Sequence, residues 1–366
     1  MKVVQVIDVR WFNACADFAI KQALGLKLCG HEVLLLANPN SPPAVKARES
    51  GLDVCVEIDF AKIGRIFGSV RRLKALARDF NADIIFAHRG ESHLMAALAA
   101  GGLRARVARF RGDVRVARRD IFSRWLNTRM THGIAVSSEK LRLDYLRKYR
   151  LDGTPMRVIY PGIDLNLYRR ASSQEKLKDK FGLDPDQPVV GIIGRFSPVK
   201  GHRYFIEAAK IVSLKHPRVQ YAIAGGDAQL TSADLGARAA VLKINNMHFY
   251  GLMDNINELI AAFDIGVLSS IGSEMICRVL LEYFASGLPS VASAVNQISE
   301  LMLASKGGVL VPPGDPVALA DAITNLLENS ELCGQYRQNA MKWVEGRSLL
   351  SLGQETAEFL GEVLDA

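Results

Sequence analysis

Apolar runs and amphipathic stretches alternate along the first part of this chain. Residues 3–9 form an apolar run short enough for a buried strand, and an amphipathic stretch follows over residues 14–29. Gly30 then interrupts the helical pattern, and a second apolar run occupies residues 33–37. Strand, helix, glycine and strand in this order predict a βαβ unit with two parallel strands.

The same alternation continues and predicts two sheets. In the first half, further apolar runs separated by helical stretches occupy residues 82–87, 107–110 and 133–136. A second series of apolar runs occupies residues 188–194, 219–224, 247–250, 264–268, 289–292 and 308–311. Each series predicts an open, mostly parallel sheet. The predicted fold class is therefore α/β, with two tandem doubly wound, Rossmann-like domains.

The domain boundary is predicted between the two series, since 366 residues exceed what one hydrophobic core usually covers. The polar, proline-containing stretch between them indicates a linker over residues 169–187, with an N-terminal domain over 1–168 and a C-terminal domain over 188–345. Residues 346–366 are predicted to form a helix that packs back toward the N-terminal domain. Doubly wound sheets bind ligands outside the carboxyl ends of their strands, so the sites should face the cleft between the domains.

Charge divides unevenly between the two halves of the chain. The net charge is +8, but residues 1–170 hold 30 Lys and Arg against 16 Asp and Glu, which leaves 16 against 22 for the remainder. The first half therefore carries +14 and the second −6. A basic half commonly faces an anionic partner, which leaves nucleic acid, an anionic membrane leaflet and a phosphorylated substrate as candidates.

Targeting, membrane-spanning and disulfide signals are not evident in the sequence. The longest uncharged run near the start, residues 94–103, is about half of what a bilayer span requires. The N-terminus lacks the features of a secretory signal. The five cysteines show no CxxC spacing, which fits neither a disulfide framework nor a zinc site. We therefore expect a cytoplasmic protein without a bound metal.

Two glycine-containing segments follow apolar runs where this architecture binds nucleotides. Residues 194–201 (GRFSPVKG) combine a glycine turn with two cations, Arg195 and Lys200, which suit a diphosphate. Residues 225–227 (GGD) place a glycine pair directly after the next apolar run. Each segment by itself is also compatible with an ordinary surface turn.

A third segment, residues 273–282 (SEMICRVLLE), places two glutamates around a helix start. Glu274 precedes the helix that begins near Arg278, and Glu282 falls within its apolar part, where a carboxylate needs partners such as ribose hydroxyls. The N–H groups and positive dipole end of the helix suit a phosphate. An amphipathic helix with a surface glutamate is the alternative interpretation.

Together these segments resemble the retaining GT-B glycosyltransferases of family 4, the glycosyl transferases group 1. The resemblance covers nearly the whole chain. It is carried by short matches, namely Gly194-Arg195 with Lys200-Gly201, residues 249–265, Glu274 with Glu282, residues 282–289 and the junction at residues 160–164.

The resemblance implies a nucleoside diphosphate sugar donor in the C-terminal domain and an acceptor site in the N-terminal domain. Arg195 and Lys200 match the positions that bind the donor diphosphate, Glu282 the position that holds the ribose, and Glu274 the one that contacts the transferred sugar. Cations on the diphosphate stabilise the leaving group, so neither a metal nor another cofactor is expected. The string Asp184-Pro185-Asp186 lies in the linker and is predicted to be a turn.

The donor side has one departure from the family pattern. Met275-Ile276-Cys277 stands where members commonly have Gly-Phe-Gly, which leaves the donor sugar open. Arg195, Lys200 and Glu274 are expected to act in catalysis. The expected donor-binding residues are Gly194, Arg195, Lys200, Gly225, Glu274, Ile276, Cys277, Arg278 and Glu282.

Eight arginines and no lysine lie between residues 104 and 124, which favours bidentate recognition of an anionic group. Many relatives carry a histidine in the loop after residue 110, and Arg111 and Asp113 are the candidate replacements here. Asp113 is therefore a candidate catalytic residue. The candidate acceptor-binding residues are His88, Arg111, Arg115 and Arg118. A solvated basic face is the alternative interpretation.

The basic amphipathic stretch over residues 62–78 is compatible with contact to a membrane surface. It leads directly into the apolar run that follows Asp83, which favours packing of its apolar side on the sheet instead. A cytoplasmic protein with peripheral contact at the inner membrane face remains an expectation.

The sequence thus predicts a metal-independent glycosyltransferase that transfers a sugar with retention to an anionic or lipid-linked glycan. The expected setting is cell-surface polysaccharide or lipopolysaccharide core assembly. A nucleotide-sugar epimerase of the same architecture is one alternative. A basic nucleic-acid-binding protein is another, but aromatic residues are not interleaved with the arginines and no recognised module is present, so no nucleic acid partner is expected.

Overall fold

The chain folds into two compact α/β units. The structure, a computed structural model, describes residues 1–56, 58–60, 66–113, 120–151, 153–168 and 173–366. Unit 1 consists of Met1–Gly162 with Arg347–Ala366, and unit 2 consists of Ile163–Gly346. Each unit contains one parallel sheet with helices packed on it, so the predicted fold class is confirmed.

Unit 1 is built on a seven-stranded parallel sheet. Its strands are β1 (Lys2–Ile7), β2 (Glu32–Ala37), β3 (Asp53–Cys55), β4 (Ile84–Ala87), β5 (Arg106–Arg111), β6 (Gly133–Val136) and β7 (Met156–Val158). The strand order is β3-β2-β1-β4-β5-β6-β7. Strands β4 and β6 are buried throughout, as is usual for parallel strands covered on both faces, and this explains why they read as continuous apolar runs.

Seven described helices belong to unit 1, and six of them connect successive strands. These are α1 (Ala14–Leu28), α2 (Pro42–Glu49), α3 (Ile66–Asp79), α4 (Gly90–Ala100), α5 (Ile121–Arg129) and α6 (Glu139–Lys148). The seventh, α16 (Leu349–Asp365), comes from the end of the chain. It packs on α1 and against β5 and β6, so unit 1 is completed by a segment that follows unit 2 in the sequence.

The α1–α16 contact is a close approach of two helix backbones. A Cβ atom at Gly353 would lie 2.1 Å from the carbonyl oxygen of Gly25, a contact that forces the helices apart. Gln22 Nε2 donates to Thr356 Oγ1 at 3.0 Å within the same buried seam. Phe359 is fully buried, with its ring 6.2 Å from that of Phe86 on β4. Gly25 and Gly353 therefore allow the close approach of α1 and α16, and α16 packs in the core of unit 1.

Unit 2 is built on a six-stranded parallel sheet. Its strands are β8 (Val189–Ile193), β9 (Gln220–Ala224), β10 (Met247–Tyr250), β11 (Ile265–Leu268), β12 (Ser290–Ser293) and β13 (Gly308–Val311). The strand order is β10-β9-β8-β11-β12-β13, so the first strand of the unit is central. Strands β9 and β10 lie on one side of β8, and strands β11, β12 and β13 lie on the other.

The described helices of unit 2 surround this sheet. They are α7 (Leu165–Tyr168), α8 (Gln174–Lys180), α9 (His202–Lys215), α10 (Ser232–Val241), α11 (Ile256–Ala261), α12 (Arg278–Ala285), α13 (Asn296–Ser305), α14 (Pro316–Glu328) and α15 (Ser330–Glu345). Tyr283 of α12 is fully buried, and its hydroxyl accepts from the Ile193 N–H at 3.0 Å. Since a Cβ atom at Gly266 would lie 2.5 Å from the Tyr283 ring, glycine on β11 makes room for this contact.

Local structure differs from the sequence pattern in two places, β3 and the predicted linker. Strand β3 has only three residues of mixed polarity, and such a short strand leaves no period in the sequence. The stretch read as a linker, residues 169–187, contains α8, which a serine caps: the Lys176 N–H donates to Ser173 Oγ at 3.4 Å. Asp184-Pro185-Asp186 forms a turn in which the Asp186 N–H donates to Asp184 Oδ1 at 3.0 Å.

Candidate functional site

The predicted donor residues of unit 2 lie at one edge of its sheet. Strands β8, β9 and β11 are neighbours, so the segments that follow them, residues 194–201, 225–227 and 269–277, leave the same edge. The chain passes from β8 to β9 on one side of the β8–β11 pair, and from β11 to β12 on the other side, so the strand order reverses at this pair. Doubly wound sheets bind ligands outside the carboxyl ends of their strands at such a point.

The loops after β8 and β9 touch through their backbones. The Gly194 N–H donates to the Ala224 carbonyl at 2.9 Å, and the Phe196 N–H donates to the Gly226 carbonyl at 2.9 Å. A Cβ atom at Gly225 would lie 2.0 Å from the Gly194 carbonyl oxygen. Glycine at position 225 is therefore required for the two loops to meet.

The loop after β8 also lies against the loop after β11. Residues Pro198–Lys200 form one 3₁₀ turn that ends at Gly201, with φ 70°. Ser269 Oγ donates to the Gly201 carbonyl at 3.0 Å, and the Ile271 N–H donates to the Val199 carbonyl at 2.9 Å. Because of these contacts, Lys200 lies next to the loop that contains Glu274.

Glu274 is buried and has two polar partners at one oxygen. Lys200 Nζ forms an ion pair with Glu274 Oε1, and Ser270 Oγ donates to the same oxygen at 2.7 Å. A buried carboxylate requires such partners, because an unpaired one is costly. The structure thus brings together Lys200 and Glu274, two of the three predicted catalytic residues of unit 2.

The backbone at Glu274 is in a conformation that side chains rarely adopt. Ser273 and Glu274 have φ of 62° and 56°, which for residues other than glycine costs about 1–2 kcal/mol each. Helix α13 holds this loop from its first two residues, since Asn296 Nδ2 donates to the Ser273 carbonyl and the Gln297 N–H donates to the Glu274 carbonyl at 3.1 Å. Strain retained in this way is typical of functional loops.

The Met275-Ile276-Cys277 stretch, which replaces the common glycine-rich sequence, is buried. The Cys277 N–H donates to Gln297 Oε1 at 2.6 Å, so this donor is already satisfied. Burial raises the pKa of the Cys277 thiol, and the charge of Glu274 adds to the effect, so the thiol is protonated and unreactive. The first N–H groups of α12 have no carbonyl partner within the helix, and groups of this kind suit a phosphate.

Glu282 is buried one helical turn after Arg278. Arg278 Nε lies 2.9 Å from Glu282 Oε1, and the arginine side chain is partly exposed. The pair places a carboxylate at the site without leaving its charge isolated. Arg195, in contrast, is exposed and makes no hydrogen bond or ion pair with the residues that the structure describes, so its guanidinium is free to bind an anion.

The predicted acceptor residue His88 is buried just after β4 in unit 1. Its Nε2 lies 2.8 Å from Gln5 Nε2, and its ring packs 5.0 Å from the Phe86 ring. Burial lowers the pKa of His88 to about 3, and the nearby Arg109 adds to the shift. The imidazole is therefore neutral, and it contributes hydrogen-bonding capacity and not charge.

Arg111, the second predicted acceptor residue, is buried at the end of β5. Its Nη1 donates to Tyr145 Oη at 3.0 Å and its guanidinium lies 5.2 Å from the centre of that ring. Its Nη2 lies 3.4 Å from Asp113 Oδ1. The structure therefore pairs Arg111 with Asp113, the candidate catalytic carboxylate of unit 1. Arg115 and Arg118 lie outside the described residues.

Two family models match the chain in adjoining stretches. The model described as Glycosyltransferase Family 4 matches residues 19–167, and the model described as Glycosyl transferases group 1 matches residues 173–343. The order of the two matches is the order of the two parallel sheets. The chain belongs to the GT-B glycosyltransferases.

Curated relatives match this GT-B chain over part of their length. The putative glycosyltransferase EpsD of Bacillus subtilis (strain 168) is 28% identical over 256 residues, which cover 66% of this chain and 63% of EpsD. The alpha-D-kanosaminyltransferase of Streptomyces kanamyceticus is 30% identical over 191 residues, which cover 51% of this chain and 49% of that enzyme. The chain thus spans about half to just under two thirds of these relatives.

Solved structures share the GT-B fold over the whole chain. HepE of Anabaena, in complex with UDP and glucose, superposes with a TM-score of 0.84 at 22% identity and covers 99% of both chains. WaaG, a glycosyltransferase involved in lipopolysaccharide biosynthesis, superposes with a TM-score of 0.71 at 18% identity, covering 98% of this chain and 99% of WaaG. At these identities the likeness establishes the fold.

Sequence reasoning missed three residues that support the predicted donor site of this GT-B chain. Ser270 bonds Glu274 directly, and Asn296 and Gln297 hold the strained loop from α13. The sequence does show Asn296 and Gln297 as a polar pair shortly after the strand at residues 290–293. Their partners, Ser273 and Cys277, lie more than one element earlier in the chain, so the pairing could not be inferred. Among the described residues, no three His, Cys, Asp or Glu side chains gather as a metal site would require.

The helices of unit 1 differ in how much apolar surface they expose. Within α3, which covers the described part of the stretch predicted to be amphipathic, Leu73 and Ala77 are buried in the sheet core. The same helix exposes Phe67, which is 85% exposed. Helix α5 exposes three large apolar side chains, Ile121, Phe122 and Trp125. None of the helices that the structure describes combines the length and the hydropathy that a bilayer span requires.

Proposed function

We propose that this chain transfers a sugar from a nucleoside diphosphate sugar to an acceptor hydroxyl, with retention of the anomeric configuration. The observation that carries the proposal is the arrangement at the edge of the unit 2 sheet. There a free guanidinium (Arg195), an ammonium (Lys200) and a buried carboxylate (Glu274) accompany the start of α12. Two cations beside a helix N-terminus suit a diphosphate, and a carboxylate suits the sugar hydroxyls.

In this proposal the protein stabilises the leaving group. Negative charge grows on the diphosphate as the bond to the sugar breaks, and Arg195 and Lys200 bind that charge more strongly in the transition state than in the ground state. Lys200 already has one partner in Glu274, so it can link the diphosphate to the carboxylate that contacts the sugar. Glu282, held by Arg278, is placed to accept from ribose hydroxyls. No metal is required for this role.

We take a uridine diphosphate sugar as the first donor to test, because structures of HepE are described in complex with UDP, with UDP and glucose, and with UDP-glucose. The proposed acceptor is an anionic or lipid-linked glycan of cell-surface polysaccharide or lipopolysaccharide core assembly. Two observations support this class, namely the arginine-rich end of β5 and the likeness to WaaG and to WaaB, a lipopolysaccharide outer core galactosyltransferase.

We further propose that α5 contacts an anionic membrane surface from the cytoplasmic side. Its exposed Ile121, Phe122 and Trp125 accompany two arginines of the same helix, Arg124 and Arg129, a combination typical of interfacial helices. All five cysteines are free thiols, which fits a reducing compartment.

The donor assignment is tested by UDP binding in the presence of a chelator. Wild-type protein should bind UDP in EDTA, and Arg195→Met should weaken binding about tenfold or more, since a hydrogen bond to a charged group contributes about 1.5–3 kcal/mol. Arg218→Met is the matched control, because Arg218 is also exposed but precedes β9 at the opposite edge of the same sheet. Binding that needs magnesium or manganese, or equal losses in both variants, would contradict the assignment.

Product analysis tests the reaction class. With a lipid-linked or anionic glycan, the expected products are UDP and an acceptor that carries the sugar in the anomeric configuration of the donor, as NMR can report. Release of free UDP and an altered sugar without any acceptor would favour the epimerase alternative. Strong, salt-sensitive binding of single-stranded nucleic acid without turnover of any nucleotide sugar would favour the nucleic-acid-binding alternative.

A further inference from the structure

Arg109 is a buried guanidinium without partners for two of its nitrogens. It lies within β5, and the residue is only 4% exposed. Its Nε and Nη1 are fully buried and have no hydrogen-bond partner among the described residues. Most buried polar groups in proteins are hydrogen-bonded, so an arginine in this state requires an explanation, of which a bound ligand is one.

The neighbouring cations show that carboxylates in this region are already engaged. Arg89 Nε lies 3.8 Å from Asp8 Oδ1, and Arg111 Nη2 lies 3.4 Å from Asp113 Oδ1. No described carboxylate oxygen lies within 4.0 Å of the Arg109 nitrogens. Burial lowers the pKa of the Arg109 guanidinium, but an arginine stays protonated in proteins. Arg109 is thus the cation of this group that has no described carboxylate within ion-pair distance.

The side chains around Arg109 do not compete for an anion. Burial lowers the pKa of His88 to about 3 and lowers that of His93 well below its usual value, and the charge of Arg109 adds to both shifts. Both imidazoles are therefore neutral. His93 Nε2 lies 2.7 Å from Thr131 Oγ1, so that ring is already oriented by a hydrogen bond. His88 and His93 therefore place polar but uncharged groups around the Arg109 guanidinium.

Along β5, Arg109 and Arg111 are two residues apart and so lie on the same face of the sheet. The end of this strand is the carboxyl edge of the unit 1 sheet, where a doubly wound domain receives its ligand. Asp113, whose side chain is 38% exposed, is the outermost described member of the group.

We propose that Arg109 binds an oxyanion of the glycan acceptor, either a phosphate monoester or a carboxylate. The identity of the ligand as the acceptor rests on the proposed function, whereas the existence of an anion site does not. A planar guanidinium offers two parallel N–H groups to such an oxyanion, which the otherwise unpaired Nε supplies together with an Nη. The bound anion removes the cost of an unpaired buried cation.

The experiment compares two arginines of one strand in the full-length protein. Arg109→Met removes the buried cation, and Arg106→Met is the matched control, because Arg106 is a half-buried arginine at the other end of β5. Both variants change the net charge equally. Binding of inorganic phosphate and, separately, of glucuronate is measured by calorimetry with UDP in excess, which keeps the anion from the donor site of unit 2.

The expected result is that Arg109→Met weakens binding of one of the two anions about tenfold or more, while Arg106→Met leaves it within about twofold of wild type. Preference for phosphate or for glucuronate identifies the source of the oxyanion. Arg109→Met should also leave the unliganded protein at least as thermally stable as wild type, because the removed charge has no partner. A purely structural role predicts a lower melting temperature instead.

Two results would overturn the anion site. One is equal loss of affinity in both variants, which would indicate general charge attraction. The other is absence of phosphate and glucuronate binding in wild type, which would indicate that water satisfies Arg109. Failure of the donor proposal looks different, since UDP would then not bind while the contrast between Arg109→Met and Arg106→Met would persist.

Discussion

Single charged side chains in the proposed donor site have distinct neighbours, and these predict distinct functional losses. Glu274 is held by Lys200 and Ser270 on a strained loop, whereas Glu282 is held by Arg278 within a helix. The first arrangement couples the carboxylate to the proposed diphosphate through lysine. The Arg278–Glu282 pair positions a carboxylate that has no contact with Lys200 or with the proposed reacting bond.

We expect Glu274→Gln to lower turnover more than UDP affinity, and Glu282→Gln mainly to weaken UDP binding. The reason is that the first residue is assigned to the moving sugar and the second to the stationary ribose. Each loss should be about ten- to a hundredfold, the range for a charge-assisted hydrogen bond. Steady-state kinetics with UDP-binding calorimetry provide the measurement, and equal, small effects would argue that both glutamates are only structural.

Buried histidines predict how stability depends on pH. His202, next to the Lys200 turn, has its pKa lowered to about 4 by burial, with Lys200 adding to the effect. Unfolding returns it to about 6.5, so between pH 6.5 and 4 the unfolded chain binds a proton that the folded chain does not. Stability must therefore fall as the pH falls through this window.

For His202→Gln we expect a shallower loss of stability on acidification. The difference in slope should approach about 1.4 kcal/mol per pH unit, which corresponds to one proton. The measurement is urea unfolding at several pH values, followed by fluorescence of Trp343 in a Trp11→Phe, Trp125→Phe background, so that unit 2 is monitored. An unchanged slope would mean that His202 is not neutral and buried in solution.

At the scale of elements, the proposed donor site depends on loops that touch through backbone atoms. The loops after β8 and β9 approach so closely at Gly225 that any side chain there collides with the Gly194 carbonyl. The adjacent Gly226 has its nearest obstacle, Leu252 Cβ, at 3.8 Å, which is an ordinary contact. Two neighbouring glycines therefore give a matched pair of variants.

Gly225→Ala should separate the two loops, destabilise unit 2 by about 1–3 kcal/mol and weaken UDP binding. Gly226→Ala should bind UDP nearly as wild type does, because its methyl group fits. Thermal unfolding and UDP calorimetry on both variants provide the comparison. If the two variants behave alike, the close approach of these loops is not what shapes the site.

The exposed face of α5 gives a second prediction at this scale. Replacing Ile121, Phe122 and Trp125 together by serine should reduce binding to phosphatidylglycerol vesicles about tenfold or more, because apolar area and arginine charge act jointly at an interface. The control is Leu252→Ser, since Leu252 is 89% exposed and belongs to unit 2. Vesicle flotation measures both. Undiminished binding by the triple variant would remove α5 as the contact.

At the scale of the whole molecule, the end of the chain completes the unit that begins it. Helix α16 follows unit 2 in sequence but packs on α1 and β6 of unit 1. A Cβ atom at Gly133 of β6 would lie 2.2 Å from Val363 Cγ2, so the strand and the helix are also in close contact. Stability of unit 1 should therefore depend on α16, while unit 2 forms from one continuous stretch.

Gly353→Ala should destabilise unit 1 by about 1–3 kcal/mol, because its methyl group collides with the α1 backbone. Gly361→Ala on the same helix meets nothing within 4 Å and should stabilise the helix by up to about 1 kcal/mol. Hydrogen exchange should show faster exchange in α1 and β6 for Gly353→Ala, with β8 and β9 unchanged. Equal effects on both sheets would contradict the independence of the two units.

The sequence by itself determined the fold class and the positions of the donor motifs. Both are local properties, since alternation of apolar and polar residues reports burial of each strand and helix along the chain, and the motifs follow strands directly. Arg195, Lys200, Glu274 and Glu282 could be predicted as donor residues for this reason, and their roles stay predictions. The pattern failed where an element is too short to show a period, as in the three-residue β3 and the seven-residue α8.

Only the tertiary structure decided which groups are paired. Lys200 meets Glu274 across 74 residues, and Cys277 meets Gln297 across 20. Arg111 has partners while Arg109, two residues away, lacks them for two nitrogens, although both appear in one arginine-rich run. The physical reason is that partners of a buried charge come from segments that folding brings together, and their separation along the chain follows no local period.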